Sequence, residues 1–88
     1  MLSKIRLLLR FTTETLDAEL DDLILGCKAD LALSGISSTK IIDTDSLILR
    51  AVSLYCQIHY EIDNVKAERL QRSYDSIKAH LALSVDYQ

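Results

Sequence analysis

Two cysteines and two histidines are the side chains in this 88-residue chain that are best suited to chemistry. Cys56 and His59 have i, i+3 spacing, so on a helix they would share a face and could supply half of a metal site. Cys27 and His80 could supply the other half. The spacing matches no zinc-finger pattern, in which the ligand pairs lie at short turns. Because free cysteine usually packs as a small hydrophobic residue, we favour core positions for both and expect no metal.

A catalytic role for Cys56 is also disfavoured. A cysteine nucleophile needs a base and an electropositive setting. His59 could be the base, but Cys56 lies in an apolar stretch with no oxyanion donor nearby. The sequence has no serine elbow, phosphate-binding glycine loop or HExxH helix, and its acidic stretch lacks the glycine and terminal glutamate of an EF-hand. We therefore predict no catalytic, cofactor-binding or metal-binding residues.

Composition indicates one small all-α domain that spans residues 1–88. The chain has no Pro and only two Gly, with 49% hydrophobic and 26% charged residues, so helix is the default state. Two cysteines without a signal peptide indicate reduced thiols in a cytosolic setting. No segment approaches the roughly 20 apolar residues of a membrane span, and we expect a soluble protein with no membrane association.

Apolar periodicity predicts a small bundle of three long helices plus a short N-terminal helix. The short helix covers roughly residues 3–11, and the long ones cover about 16–33, from about 44 to 60 or 62, and about 65–83. Asp43 or Thr44 is the expected cap of the third helix. Gly35 is the expected left-handed residue after the second. We expect the last residues to fray.

Residues 36–43 are the least determined part of the chain. Ser37, Ser38 and Thr39 favour a loop, and Lys40–Ile42 could form a short strand or an extended arm. Nothing in this stretch predicts a site.

The third helix is apolar nearly all round, which is typical of a helix at the centre of a bundle or in an oligomer interface. Gly26 lies inside the second helix, where it costs about 1 kcal/mol relative to Ala, and this suggests that a neighbouring helix approaches closely. On the fourth helix, Asp75 and Lys78 form a predicted i, i+3 ion pair. The packing should therefore be helix against helix throughout.

Charge is distributed unevenly along the chain. Residues 1–13 carry a charge of +3, residues 14–31 carry −5, and the whole chain carries −3. The acidic total argues against a surface that is wholly a nucleic-acid footprint. The two blocks are either solvated faces or the two sides of a head-to-tail contact between identical subunits. In the second case, we predict an interface that pairs basic with acidic residues: Arg6, Arg10, Asp17, Asp21 and Asp22.

Three stretches together resemble the head–tail connector proteins of tailed phages, also described as head-completion adaptors or DNA-packaging proteins. They are LLLRFTTETLDAELDDLILGCKADL, DTDSLILRAVSLYCQIHY and DNVKAERLQRSYDSIKAHLALSVDY, and they cover nearly the whole chain. The position after Asp45, often Pro in such proteins, is Ser46 here. No single motif is diagnostic, since these proteins share a helix pattern more than invariant chemistry.

The resemblance implies a structural, non-catalytic subunit of a ring, commonly of about twelve copies as closed symmetry permits. Such a ring binds beneath the portal protein after packaging, extends the DNA channel and presents a surface to a tail-side completion protein. DNA would pass through without specific binding, and the protein would reside at the head–tail junction of the virion after assembly in the host cytoplasm. Two other functions remain open from the residues alone: a DNA-binding regulator that uses Arg69, Arg72 and Lys78, and an adaptor whose third helix is covered by a different protein.

Overall fold

The computed structural model describes residues 1–9 and 17–88, and within them it contains four α-helices and no strand. The helices are α1 (Leu2–Leu9), α2 (Asp17–Leu33), α3 (Ser46–Tyr60) and α4 (Asn64–Leu83). Short 3₁₀ turns occupy Ser38–Lys40 and Val85–Tyr87. The all-α bundle predicted from the sequence is confirmed. The predicted end of the first helix and the predicted start of the second lie outside the described residues.

Aspartates begin the two helices that form the central hairpin. Asp45 precedes α3 with extended φ and ψ of −94° and 117°, and its carboxylate accepts from the backbone N–H groups of Leu47 and Ile48. Asp63 does the same for α4. The prediction of Asp43 or Thr44 as the α3 cap was wrong, because the backbone turns between residues 42 and 45, where the Asp45 N–H donates to the Ile42 carbonyl. Asp45 is thus the last non-helical residue.

The connector and the C-terminal residues pack on each other. Lys40–Ile42 forms no strand, because the chain turns tightly at residues 38–40 and buries Ile36 and Ile41. The terminal residues were expected to fray, and this was wrong. The Ser37 N–H donates to the Tyr87 carbonyl at 2.6 Å, and the Tyr87 hydroxyl donates to Asp45 Oδ2 at 2.7 Å.

Helix α3 lies at the centre of the bundle and packs against α1, α2 and α4. Both cysteines are fully buried, as the sequence predicted. The core contains these buried hydrophobic residues: Ile5, Leu20, Ile24, Cys27, Leu31, Ile36, Ile41, Ile48, Ala51, Val52, Cys56, Tyr74 and Leu81.

The two glycines have distinct roles. Gly35 follows α2 with a φ of 101°, which confirms the predicted left-handed residue. A Cβ placed on Gly26 would lie 3.2 Å from the Tyr55 hydroxyl oxygen, so α2 and α3 do approach closely at this point. The absence of a side chain at position 26 makes room for the tyrosine.

Candidate assembly interface

Arg6, one of the residues predicted for a subunit contact, is paired inside the subunit. Its Nε lies 2.9 Å from Asp17 Oδ1, which joins α1 to α2. The Asp17 side chain is 65% exposed, and surface pairs of this kind contribute about 0–1 kcal/mol. Arg10 lies outside the described residues. Asp21 and Asp22 are exposed on α2 and form no ion pair with any other described residue.

Helix α2 carries a second apolar face that points to solvent. Its inner face buries Leu20, Ile24, Cys27 and Leu31. The outer α2 stripe, which we define by i, i+4, i+7, i+11 and i+15 spacing, contains these exposed residues: Ala18, Asp22, Leu25, Ala29 and Leu33. The side chains of Leu25 and Leu33 are the large apolar groups in it, at 55% and 88% exposure. This outer stripe was not identified from the sequence, although its spacing is that of a helix face.

A shallow apolar groove of about 420 Å³ lies between α1 and α3, and we call it the α1–α3 groove. Its lining residues are Leu8, Ser46, Leu47, Leu49, Arg50 and Ser53. Leu8 is 54% and Leu47 44% exposed, so both present apolar surface to solvent. Arg50 is the single charged residue in the lining and forms no ion pair within the described part of the chain.

The groove and the outer α2 stripe lie on opposite sides of the molecule. The side of α3 that faces α2 includes Tyr55, which lies against Gly26, and His59, whose Nε2 is 3.4 Å from Glu19 Oε1. Arg50 precedes His59 by two and a half helical turns and therefore projects from the opposite side of α3. The outer α2 stripe points away from α3, because the inner stripe packs on the core.

A cluster of partly buried polar side chains joins α2 to α4. Tyr74 donates to Asp30 Oδ2 at 2.6 Å, Lys78 donates to the same oxygen at 3.0 Å, and Cys27 Sγ lies 3.6 Å from the Tyr74 hydroxyl. The hydrogen bond from Tyr74 is the main cause that lowers the pKa of Asp30, and burial is the main cause that raises the pKa of Tyr74. Lys78 pairs with Asp30, not with Asp75 as the sequence predicted.

The cysteines are arranged as core residues. Burial raises the pKa of Cys27 to about 12 and that of Cys56 to about 11, so both thiols are protonated at neutral pH. Since the thiolate is the form that attacks and binds metals, neither is prepared for such a role. His59 and His80 are exposed, unlike the cysteines considered with them. Residues 1–9 and 17–88 contain no group of three or more His, Cys, Asp or Glu side chains placed to hold a metal ion.

The described helices also include none that is both long enough and apolar enough to cross a membrane.

A small helical chain with large apolar side chains exposed on two opposite faces is typical of a protein that assembles with other chains. These exposed apolar surfaces therefore favour a protein that works as part of an assembly.

Comparison with known proteins also indicates a protein that assembles with other chains. A family model described as "Phage connector protein" matches residues 1–88, and the chain therefore belongs to the phage connector protein family. The resemblance to head–tail connectors seen in the sequence is thereby confirmed, and with it a structural role of the connector type. No curated protein and no solved structure matches the chain.

Proposed function

We propose that this protein is a ring-forming subunit of a phage or prophage head–tail connector. In this function it binds beneath the portal protein, extends the DNA channel and presents a surface to the tail-side completion protein, without catalysis. The observation that carries the proposal is the family match over the entire chain. By resemblance the ring has about twelve copies, which closed cyclic symmetry allows.

The surface of the subunit supports head-to-tail assembly. Two different faces on opposite sides of a molecule generate a ring when the rotation between neighbours closes. The interface predicted from the sequence, Arg6 and Arg10 against Asp17, Asp21 and Asp22 of a neighbour, remains a prediction. In such an interface Arg6 would have to exchange Asp17 of its own chain, with which it already pairs, for an acidic residue of the neighbour.

An acidic connector suits a channel through which DNA must move. The chain carries a net charge of −3, and weak attraction for phosphate means little drag on a passing duplex. We therefore propose that DNA contacts this protein without specific binding, and that the protein resides at the head–tail junction of the virion after assembly in the host cytoplasm.

Light scattering coupled to size exclusion, over a wide concentration series with and without the portal protein of the same phage, tests the proposal. We expect association that increases with concentration, rings in electron micrographs, and retention of the protein on the portal. A chain that stays monomeric at every concentration and ignores the portal would overturn the proposal. Tight duplex DNA binding that weakens steeply with salt would instead indicate a DNA-binding regulator.

A further inference from the structure

We propose that neighbouring subunits join by seating the outer α2 stripe of one copy in the α1–α3 groove of the next, with Asp22 against Arg50. The inference rests on the proposed function, because it assigns the surfaces through which the ring forms. The occupant of the groove is thus a second copy of this chain. It differs from the contact predicted from the sequence in its basic partner, which is Arg50 of α3 in place of Arg6 and Arg10.

The two surfaces are complementary in shape. Ala18 and Ala29 let a facing helix approach closely, and Leu25 between them can fill a depression. The groove is bordered by the exposed parts of Leu8 and Leu47. The stripe spans about 22 Å, whereas the groove follows α3 from Ser46 to Ser53, about 11 Å at about 1.5 Å per residue, so the groove would hold about half of the stripe. Docking would cover exposed leucines on both sides.

The charges of the two surfaces are complementary. Each apolar surface carries one charge, Asp22 on the stripe and Arg50 in the groove. A charge buried in an apolar contact needs an opposite charge, so each of these residues requires the kind of partner that the other surface supplies. On the stripe side, Asp21 adjoins Asp22 and adds to the negative charge there. Such complementarity fixes the orientation of partners.

The positions of the surfaces decide between a ring and a closed dimer. Because they lie on opposite sides, a subunit that has docked one surface still offers the other, so addition continues until a ring closes. A two-fold dimer through the stripe alone would leave Asp22 without a basic residue opposite it, because no residue of the stripe is basic, and would leave Arg50 outside the contact. The charge pattern therefore favours a head-to-tail contact.

Two charge-reversal variants test the contact: Asp22→Arg and Arg50→Asp. Each alone should lower the association constant about tenfold or more, because like charges then meet in the docked contact. An equimolar mixture of the two variants should regain association, since every contact between unlike subunits again joins opposite charges. The matched controls are Glu68→Arg and Arg72→Asp, which reverse exposed charges on the solvent side of α4 and should associate like the wild type. Circular dichroism should show unchanged helix content in all four variants.

The outcomes separate this inference from the proposed function. If the wild type forms rings and both single variants do so equally well, the docking contact is wrong and the connector function stands. If the variants lose association but their mixture does not regain it, the Asp22–Arg50 pairing is wrong. If the wild type itself stays monomeric at every concentration and is not retained on the portal protein, the ring and the contact fail together.

Discussion

The hydroxyl of Tyr74 donates a 2.6 Å hydrogen bond to Asp30 Oδ2 and so joins α4 to α2 across 44 residues of sequence. Tyr74 is only 2% exposed, and Lys78 approaches both groups, since its Nζ lies 3.0 Å from the same carboxylate oxygen and 5.2 Å from the centre of the Tyr74 ring. Helix α2 carries the outer α2 stripe. The link therefore helps to fix the rotation of α2, and with it the direction in which the proposed docking surface points.

A substitution that removes only the Tyr74 hydroxyl measures how much its hydrogen bond to Asp30 contributes to stability. We expect Tyr74→Phe to lower the free energy of unfolding by about 1–2 kcal/mol, because hydrogen bonds to charged groups contribute about 1.5–3 kcal/mol and Asp30 is partly open to water. Urea unfolding followed by circular dichroism provides the measurement. Tyr55→Phe is the control: its ring packs edge-on against Tyr74 but its hydroxyl forms no hydrogen bond to a described residue, so we expect a change below about 0.5 kcal/mol. Equal effects of the two variants would contradict the role of the bond.

Acid should remove the contribution that the ionised Asp30 carboxylate makes to the stability of the fold. Its pKa is lowered from 3.8, first by the Tyr74 hydrogen bond and further by Lys78, so the ionised carboxylate is the form that the fold favours. A lowered pKa in the folded state gives stability that is present above the unfolded pKa and is lost as pH falls through the folded value. The melting temperature of Asp30→Asn should therefore lie below that of the wild type at pH 6, and the gap should narrow progressively as the pH falls below about 4. The same narrowing is expected for Tyr74→Phe, and a gap that does not change with pH would contradict the assignment.

The close approach at Gly26 predicts a non-additive pair of substitutions. Gly26→Ala gains helix propensity of about 1 kcal/mol, but its Cβ would lie 3.2 Å from the Tyr55 hydroxyl oxygen. We expect the gain to be mostly lost in the wild type, because the Tyr55 ring is held against Tyr74. In a Tyr55→Phe background the obstructing oxygen is gone, and the gain should approach its full value. A double-mutant cycle measured by urea unfolding tests this, and equal effects in the two backgrounds would show that Tyr55 moves aside freely.

Local signals in the sequence were sufficient for most of the fold. Asp63 begins α4, Gly35 follows α2, and the apolar pattern placed Cys27 and Cys56 in the core, because each depends on residues within a few turns of itself. The pairing of Lys78 was not predictable in this way. Asp75 has suitable helical spacing, whereas Asp30 comes within reach only when α2 and α4 pack together.

The surfaces relevant to assembly were only partly visible in the sequence. The acidic block drew attention to Asp21 and Asp22, and the spacing of Ala18, Leu25 and Ala29 is itself a helical stripe. That stripe can be recognised as an exposed surface only from the structure, which buries the other face of α2 and leaves this one accessible to solvent. The α1–α3 groove combines residues about 40 positions apart, such as Leu8 and Leu47, so no local pattern could have indicated it.

Asp45 has two partners, and this distinguishes it from Asp63. Its Oδ1 caps α3, and its Oδ2 accepts from the Tyr87 hydroxyl at 2.7 Å, whereas Asp63 serves only as the cap of α4. We expect Asp63→Ala to cost about 1 kcal/mol of unfolding free energy, as a lost cap does. Asp45→Ala should cost about 1 kcal/mol more, because it also leaves the Tyr87 hydroxyl without its acceptor.

Repeating both substitutions in a Tyr87→Phe background isolates the second partner of Asp45. In that background Asp45→Ala and Asp63→Ala should lower the free energy of unfolding equally, because each aspartate then acts only as a helix cap. Hydrogen exchange should also show faster exchange at the Ser37 amide in Tyr87→Phe, because that N–H donates to the Tyr87 carbonyl and depends on the docked C-terminal turn. If the excess cost persists without the Tyr87 hydroxyl, the two caps differ for a reason within α3 itself, and the tyrosine does not anchor the C-terminal residues.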